Sequence, residues 1–453
     1  MRDRYLIAVC LVLVTLGMVT VAFPEGAASI LIVLVLSAAA LFIFRRFSSE
    51  REFLTTIFLG ALLVRLAFGV FIHIMDYRDF FGGDAYTYDF NGWRLVEYWT
   101  GQVRSDDLAL QQAWATSGPG WGMNYLVAGI YYAIGRNIFA AQSFCAVFGA
   151  ATAPMVYFCA AKMFSNKSVA KISAVAIAFF PSFVIWSSQL MKDGLIIFLL
   201  VLAMTMVLQL QEKFNYLALL LLIFSLFGIL SLRFYIFYMV AIAVAGSFIV
   251  GLTGSVQSLV RRVAVLVLLG LGLTYLGVIR NAGVDLERFG SLEQVQNSRQ
   301  DLATSAESGF GGDIDVSTTE GAISAVPIGL LYLMFAPFPW EVTNLRQAIT
   351  LPEVLLWWAM IPLLVSGLWY AIRHRLGKSI PVLVFSLMLT LAYSIFQGNV
   401  GTAYRQRTQI QVFLFIFIAV GFTIFREARE NKRLLVAARR KQVDDSLRAR
   451  SSV

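Results

Sequence analysis

The stretch FFGGDAYTYDF, residues 80–90, sets a carboxylate, Asp84, after two glycines and among aromatic rings. A carboxylate partly withdrawn from water can act as a general base. The glycines let the backbone turn or come close to a ligand. Tyr86 and Tyr88 offer ring faces to a sugar and hydroxyls for hydrogen bonds. The structural alternative is that Asp84 only caps a helix running on through Trp93 to Trp99. In FFPSFVIWSSQLMKDGLIIFLL, residues 179–200, Lys192 and Asp193 stand at the mouth of an apolar run. Ionisable groups so placed are functional candidates; the alternative is a carboxylate at a helix N-terminus beside a snorkelling lysine.

Arg233 interrupts an apolar stretch at GILSLRFYIF, and Arg405 and Arg407 open a late apolar run in GTAYRQRTQI. Guanidinium groups grip a phosphate with two hydrogen bonds, so all three are candidate phosphate ligands; for Arg233 a turn-marking role competes. Arg65 lies inside an apolar run and needs a partner or a cavity. Glu341 ends APFPWE, as a site residue or as part of an aromatic anchor. Asp76, Asp79, Asp84 and Asp89 supply hard oxygens for a divalent cation, but their spacing fits no strict motif, so the expected cofactor is none. Three cysteines, all in apolar runs, and two distant histidines supply neither a disulfide framework nor a His-based centre.

These residues need a membrane scaffold. The chain has 453 residues, 59% hydrophobic and only 14% charged, against about 25% charged in soluble proteins. It reads as an all-α integral membrane protein. With about 20 apolar residues per span, the expected spans are residues 5–22, 27–44, 53–74, 138–161, 168–187, 193–211, 215–231, 233–251, 262–280, 352–372, 379–396 and 408–425, about twelve transmembrane helices. The first is longer than a signal-peptide core of about 7–15 residues and reads as retained. The formal charge of +9 is not a nucleic-acid signature, because the basic residues fall in short loops and in the tail. The positive-inside bias makes that face cytoplasmic, with both termini, and the membrane the plasma (inner) membrane.

Two long outer-face loops remain, residues 75–137 and 281–351, each carrying a short interfacial helix, at 122–135 and 326–338. Residues 301–321, polar and rich in Gly and Ser, read as mobile and ordered by a ligand. The organisation is an N-terminal transmembrane hairpin (1–52), a core (53–425), and a basic amphipathic tail (426–453) suited to a lipid surface.

The order of these features resembles the GT-C membrane glycosyltransferases, especially the family 39-like enzymes that use polyprenyl-phosphate-linked sugars. GGDAYTY is similar to their G-D-x-x-Y loop opening, and GMNYLVAGIYYAIG, VYFCAAKMF, PSFVIWSSQLMKD, LRFY and YRQRTQI follow in the family's order. The resemblance covers residues 53–425. It departs at KDG (192–194), where many relatives carry glutamate, and in the two spans that precede the usual first one. It implies a GT-C-like fold, Asp84 as catalytic base and Asp193 as the second acidic residue. It further implies a polyprenyl-phosphate-linked sugar donor held by Lys192, Arg233, Arg405 and Arg407, and a glycan, lipid or protein acceptor. Transfer would be inverting and metal-free. A flippase of lipid-linked anionic glycans, or a polysaccharide polymerase or ligase, would also use outer arginines.

Overall fold

The computed structural model describes residues 10–11, 14–15, 17, 25–47, 49–117, 120–249, 256–278, 283, 290–304, 308–312 and 314–451, with backbone alone for 116–117, 256–258 and 436–451. The expected first span therefore lies mostly outside the described residues. Every described element is helical, apart from one isolated bridge between Gly309 and Asn399.

The chain runs through α1 (Glu25–Phe47), α2 (Arg51–Met75), the short α3 (Arg78–Phe81), α4 (Asp84–Trp99), α5 (Leu108–Ser117), α6 (Gly122–Ile134), α7 (Ile138–Phe164), α8 (Lys167–Phe179) and α9 (Pro181–Ser187). It continues through α10 (Lys192–Glu212), α11 (Tyr216–Leu232), α12 (Phe234–Ile249), α13 (Val256–Tyr275), α14 (Leu292–Thr304) and α15 (Thr319–Phe335). The last three helices are α16 (Leu345–His374), α17 (Leu376–Phe396) and α18 (Val400–Ser451). Asparagines begin many of them: the side chains of Asn137, Asn166, Asn215 and Asn344 accept from the amides two or three residues on, satisfying donors the helix leaves open.

Among the described residues, seven helices are long and apolar enough to cross a membrane, or eight if α8 and α9 form one bent span. The expected spans 215–231 and 233–251 are helices of 17 and 16 residues, parted at Arg233. α13 covers most of 262–280 but is not among these seven. Residues 75–137 are not open loop: α3 to α6 occupy most of them, and α4 packs on α6 so closely that a Cβ at Gly92 would meet Val127 Cγ1 at 2.5 Å. The helix expected at 326–338 begins seven residues earlier, where the Thr318 side chain caps Gly321 N.

Described parts of 301–321 are docked. Phe310 N donates to Gly398 O at 2.7 Å, Val400 N to Ser308 O at 3.0 Å, and Arg299 to Ile395 O at 2.7 Å, so this segment lies along the start of α18.

Packing against α7 and α10 holds the centre; about four-fifths of the apolar window of each is buried, against 17% for α1 at the rim. Pro181 has no N–H and pushes Phe180 into extended backbone, so α9 leaves α8 at 54°. The carbonyls freed by this break must find donors in the bilayer interior. Arg65 of α2 supplies them, donating to Ile177 O at 3.2 Å, Ala178 O at 2.8 Å and Ser187 Oγ at 2.8 Å. Its partners are thus dipoles of a broken helix. Gly149 of α7 and Gly194 of α10 let both helices close on Ser187, where added Cβ atoms would come within 2.3 and 2.7 Å of its Cβ. Arg65→Leu should cost about 2 kcal/mol, taking about 0.6 kcal/mol for each of three interhelical bonds in a membrane; a melting temperature unchanged in detergent would refute this account.

The 21-residue α10 separates two charged ends by about 30 Å. Lys192 and Asp193 stand at one end; at the other, Glu212 pairs with Lys162 and Lys378 at 3.5 and 2.7 Å. Of the basic residues expected on a single face, Lys162, Lys378 and Arg261 gather there, Arg261 donating to Glu212 O at 3.0 Å.

Candidate active site

Asp84 is the first residue of α4, reached through Gly82, whose φ of +131° only glycine takes readily. Its carboxylate does not cap the helix. Instead Asp84 Oδ2 accepts from Arg405 Nη1 of α18 at 2.8 Å. The same guanidinium donates through Nε to Asp193 Oδ2 at 2.7 Å, and Arg233 Nη2 donates to Asp193 Oδ1 at 3.1 Å. One cluster thus joins the starts of α4 and α10, the α11–α12 turn and the second turn of α18.

The two carboxylates differ in access. The Asp84 side chain is 46% exposed, whereas Asp193 is fully buried with both oxygens occupied. Asp84 can meet a substrate; Asp193 can orient the arginines. Lys192, half-buried beside them, makes no ion pair among the described residues. Three cations against two carboxylates leave a surplus of one positive charge, which suits a phosphate. Trp186 of α9 lies under the Arg405 guanidinium at 5.8 Å, and the Tyr235 hydroxyl is 3.4 Å from Arg233 Nη1. Burial, and then the Asp84 charge, push the Tyr88 phenol upward, so it stays a neutral hydrogen-bond donor.

The remaining expected residues go elsewhere. Tyr86 donates to Asp76 Oδ1 at 2.9 Å. Asp89 accepts from Tyr131 at 2.7 Å and from both Nε and Nη2 of Arg136, which ties α4 to the end of α6. The four aspartates 76, 79, 84 and 89 therefore do not converge, and among the described residues no three potential ligands gather as a metal site. Arg407, two residues after Arg405, points to another side of α18. It is fully buried and donates to Met334 O at 3.1 Å and Ala336 O at 3.0 Å. Glu341 lies outside the cluster, in a separate cleft with Tyr332.

Sequence reasoning missed Trp186, Tyr235 and Arg346. Trp186 and Tyr235 stand within a few residues of Lys192 and Arg233, which is the one signal that marks them. Arg346 donates to Asp79 O at 3.1 Å across 267 residues, and nothing local announces that contact.

Residues 103–277 match the family model for dolichyl-phosphate-mannose-protein mannosyltransferase. This segment contains Lys192, Asp193 and Arg233 but neither Asp84 nor Arg405. Among solved structures, the oligosaccharyltransferase AglB of the archaeon Archaeoglobus fulgidus, in complex with an inhibitory peptide and a dolichol-phosphate, is 13% identical with a TM-score of 0.40. The apo form of the A. fulgidus oligosaccharyltransferase is also 13% identical, with a TM-score of 0.39. Each alignment covers 70% of this chain and 44% of the other, so this chain spans less than half their length. No curated protein matches. Over residues 103–277, a little more than a third of its length, this helical membrane protein is similar to that family of lipid-phosphate-dependent mannosyltransferases.

Proposed function

We propose that this protein transfers a sugar from a polyprenyl-phosphate-linked donor to an acceptor hydroxyl at the outer face of the membrane. One observation carries the reading: a single guanidinium, Arg405, holds an accessible carboxylate and a buried one at once. The description of the matched family names a lipid-phosphate-linked sugar, and the surplus cation at the cluster fits such a phosphate.

The geometry supports the following chemistry. The donor phosphate lies against Arg405, Arg233 and Lys192, with Asp193 fixing the two arginines from behind. Arg405 then turns part of its charge to the phosphate, and Asp84 is freed to accept a proton. The acceptor hydroxyl attacks the anomeric carbon as Asp84 takes its proton. The bond from that carbon to the phosphate oxygen breaks, and polyprenyl phosphate departs with its charge stabilised by the cations. Attack opposite the leaving group inverts the anomeric centre. The basic end of the bundle, with Lys162 and Lys378, faces the cytoplasm together with both termini, and the cluster faces outward from the plasma membrane.

The test is transfer of radiolabelled sugar from a panel of polyprenyl-phosphate donors in liposomes containing the purified protein. Label is expected in an acceptor, with release of polyprenyl phosphate. Donor moved between leaflets with no sugar transferred would overturn the reading in favour of a flippase.

A further inference from the structure

A second concave site stands beside the cluster and is not used by the chemistry above. It is a cleft of about 250 Å³ between the end of α15, the APFPWE segment and the start of α16. Tyr332 and Phe338 form its wall; Tyr332 stacks on Phe310 with centroids 4.2 Å apart, and Phe338 stacks on Trp340, which is 74% exposed. On this wall sit a carboxylate and an amide. Glu341 Oε1 accepts from the Tyr332 hydroxyl at 3.2 Å, and its other oxygen is left to accept. Gln347 Oε1 accepts from Thr343 N at 2.8 Å, so the group this cleft-lining amide has left to offer is its N–H₂, a donor.

Two contacts set this cleft beside the reacting groups. Val400 lines it and stands five residues before Arg405 on the same helix, about 7.5 Å of rise. Gln347 lines it too, and its neighbour Arg346 donates to Asp79 O and lies 5.3 Å from the Phe80 ring, at the entry to GGD. Arg407 fixes the carbonyls of Met334 and Ala336, so the Arg-Gln-Arg run serves the ion cluster with one guanidinium and, with the other, the end of α15 that leads into the cleft-lining Pro337 and Phe338.

We propose that this cleft binds one sugar ring of the acceptor, so that the acceptor is a saccharide; the word acceptor rests on the sugar-transfer reading above. A pyranose or furanose has apolar C–H faces and polar edges, which match an aromatic wall carrying one acceptor and one donor. The cleft is smaller than the about 300–1,000 Å³ of drug-sized sites, which suits a single ring better than a lipid tail or a peptide segment. The Glu341 carboxylate repels a phosphate, so the occupant is the uncharged acceptor and not the donor head.

The experiment titrates the full chain in nanodiscs with methyl glycosides of common pyranoses and pentofuranoses, reading fluorescence of Trp340 and Trp358 beside the cleft. At least one glycoside should bind saturably without donor, and Glu341→Ala should weaken it about tenfold, the loss of one charge-assisted hydrogen bond. Donor affinity, measured in the same variant, should hold and certify its fold; Thr343→Ala supplies a milder second variant. Absence of saturable binding to wild type, or binding indifferent to Glu341→Ala, would overturn the proposal. Binding that is lost in the variant, with no sugar transferred from any donor, would support the cleft and refute the transfer reading instead.

Discussion

Arg405→Gln should lower kcat/KM for sugar transfer by about 10²–10³-fold, the usual effect of removing one group that stabilises developing charge. Arg405 bonds Asp84 through Nη1 and Asp193 through Nε, so two arms of one planar group are in use. Glutamine keeps much of the reach but carries no charge to offer a leaving phosphate. Arg405→Lys should fail to restore activity, because a single ammonium cannot span two carboxylates in the same geometry. The measurement is steady-state transfer in liposomes with donor and acceptor varied separately. The loss should fall on kcat and on the donor KM, and an acceptor-only effect would remove Arg405 from the phosphate site.

Asp84→Asn should reduce kcat by about 10²–10⁴-fold, the range for loss of a positioned general base. The side chain is nearly half exposed, so the fold should survive and donor binding should persist. Asp193→Asn is the contrasting case. That carboxylate is fully buried between Arg233 and Arg405, and neutralising it leaves Arg233 without its counter-charge and Arg405 with Asp84 alone. Breaking such a buried pair costs about 3–5 kcal/mol, so this variant should melt early and lose donor affinity. Thermal unfolding and donor binding, measured on both variants, separate a base from a positioning residue. Full turnover in Asp84→Asn would take Asp84 out of the chemistry.

Much of the architecture was legible in the sequence because the bilayer imposes it. A backbone in hydrocarbon must satisfy its own hydrogen bonds, so long apolar runs can only be helices, and a chain this apolar had to be a helical membrane protein. The caps were local as well: Asn137, Asn166, Asn215 and Asn344 begin helices through amides two or three residues on. Ionisable residues at the mouths of apolar runs were conspicuous for the same reason, and Asp84, Lys192, Asp193, Arg233 and Arg405 meet in one place.

Tertiary structure alone decided how those groups are used. Arg405 and Arg407 look alike in sequence, yet two residues turn a helix by more than half a revolution. One guanidinium therefore meets Asp84 and Asp193, while the other is spent on the carbonyls of Met334 and Ala336. Asp84 and Asp89 share a short stretch, but Arg136 and Tyr131 of a different segment capture Asp89. Arg65 called for a partner or a cavity, and its partners are carbonyls freed by a proline on another helix. Such pairings join residues about 40 to 320 positions apart, beyond the reach of periodicity or spacing. The sequence by itself determined the helices and which charges stand at their ends; packing determined which charge meets which, because only the folded bundle fixes the distances on which electrostatics depends.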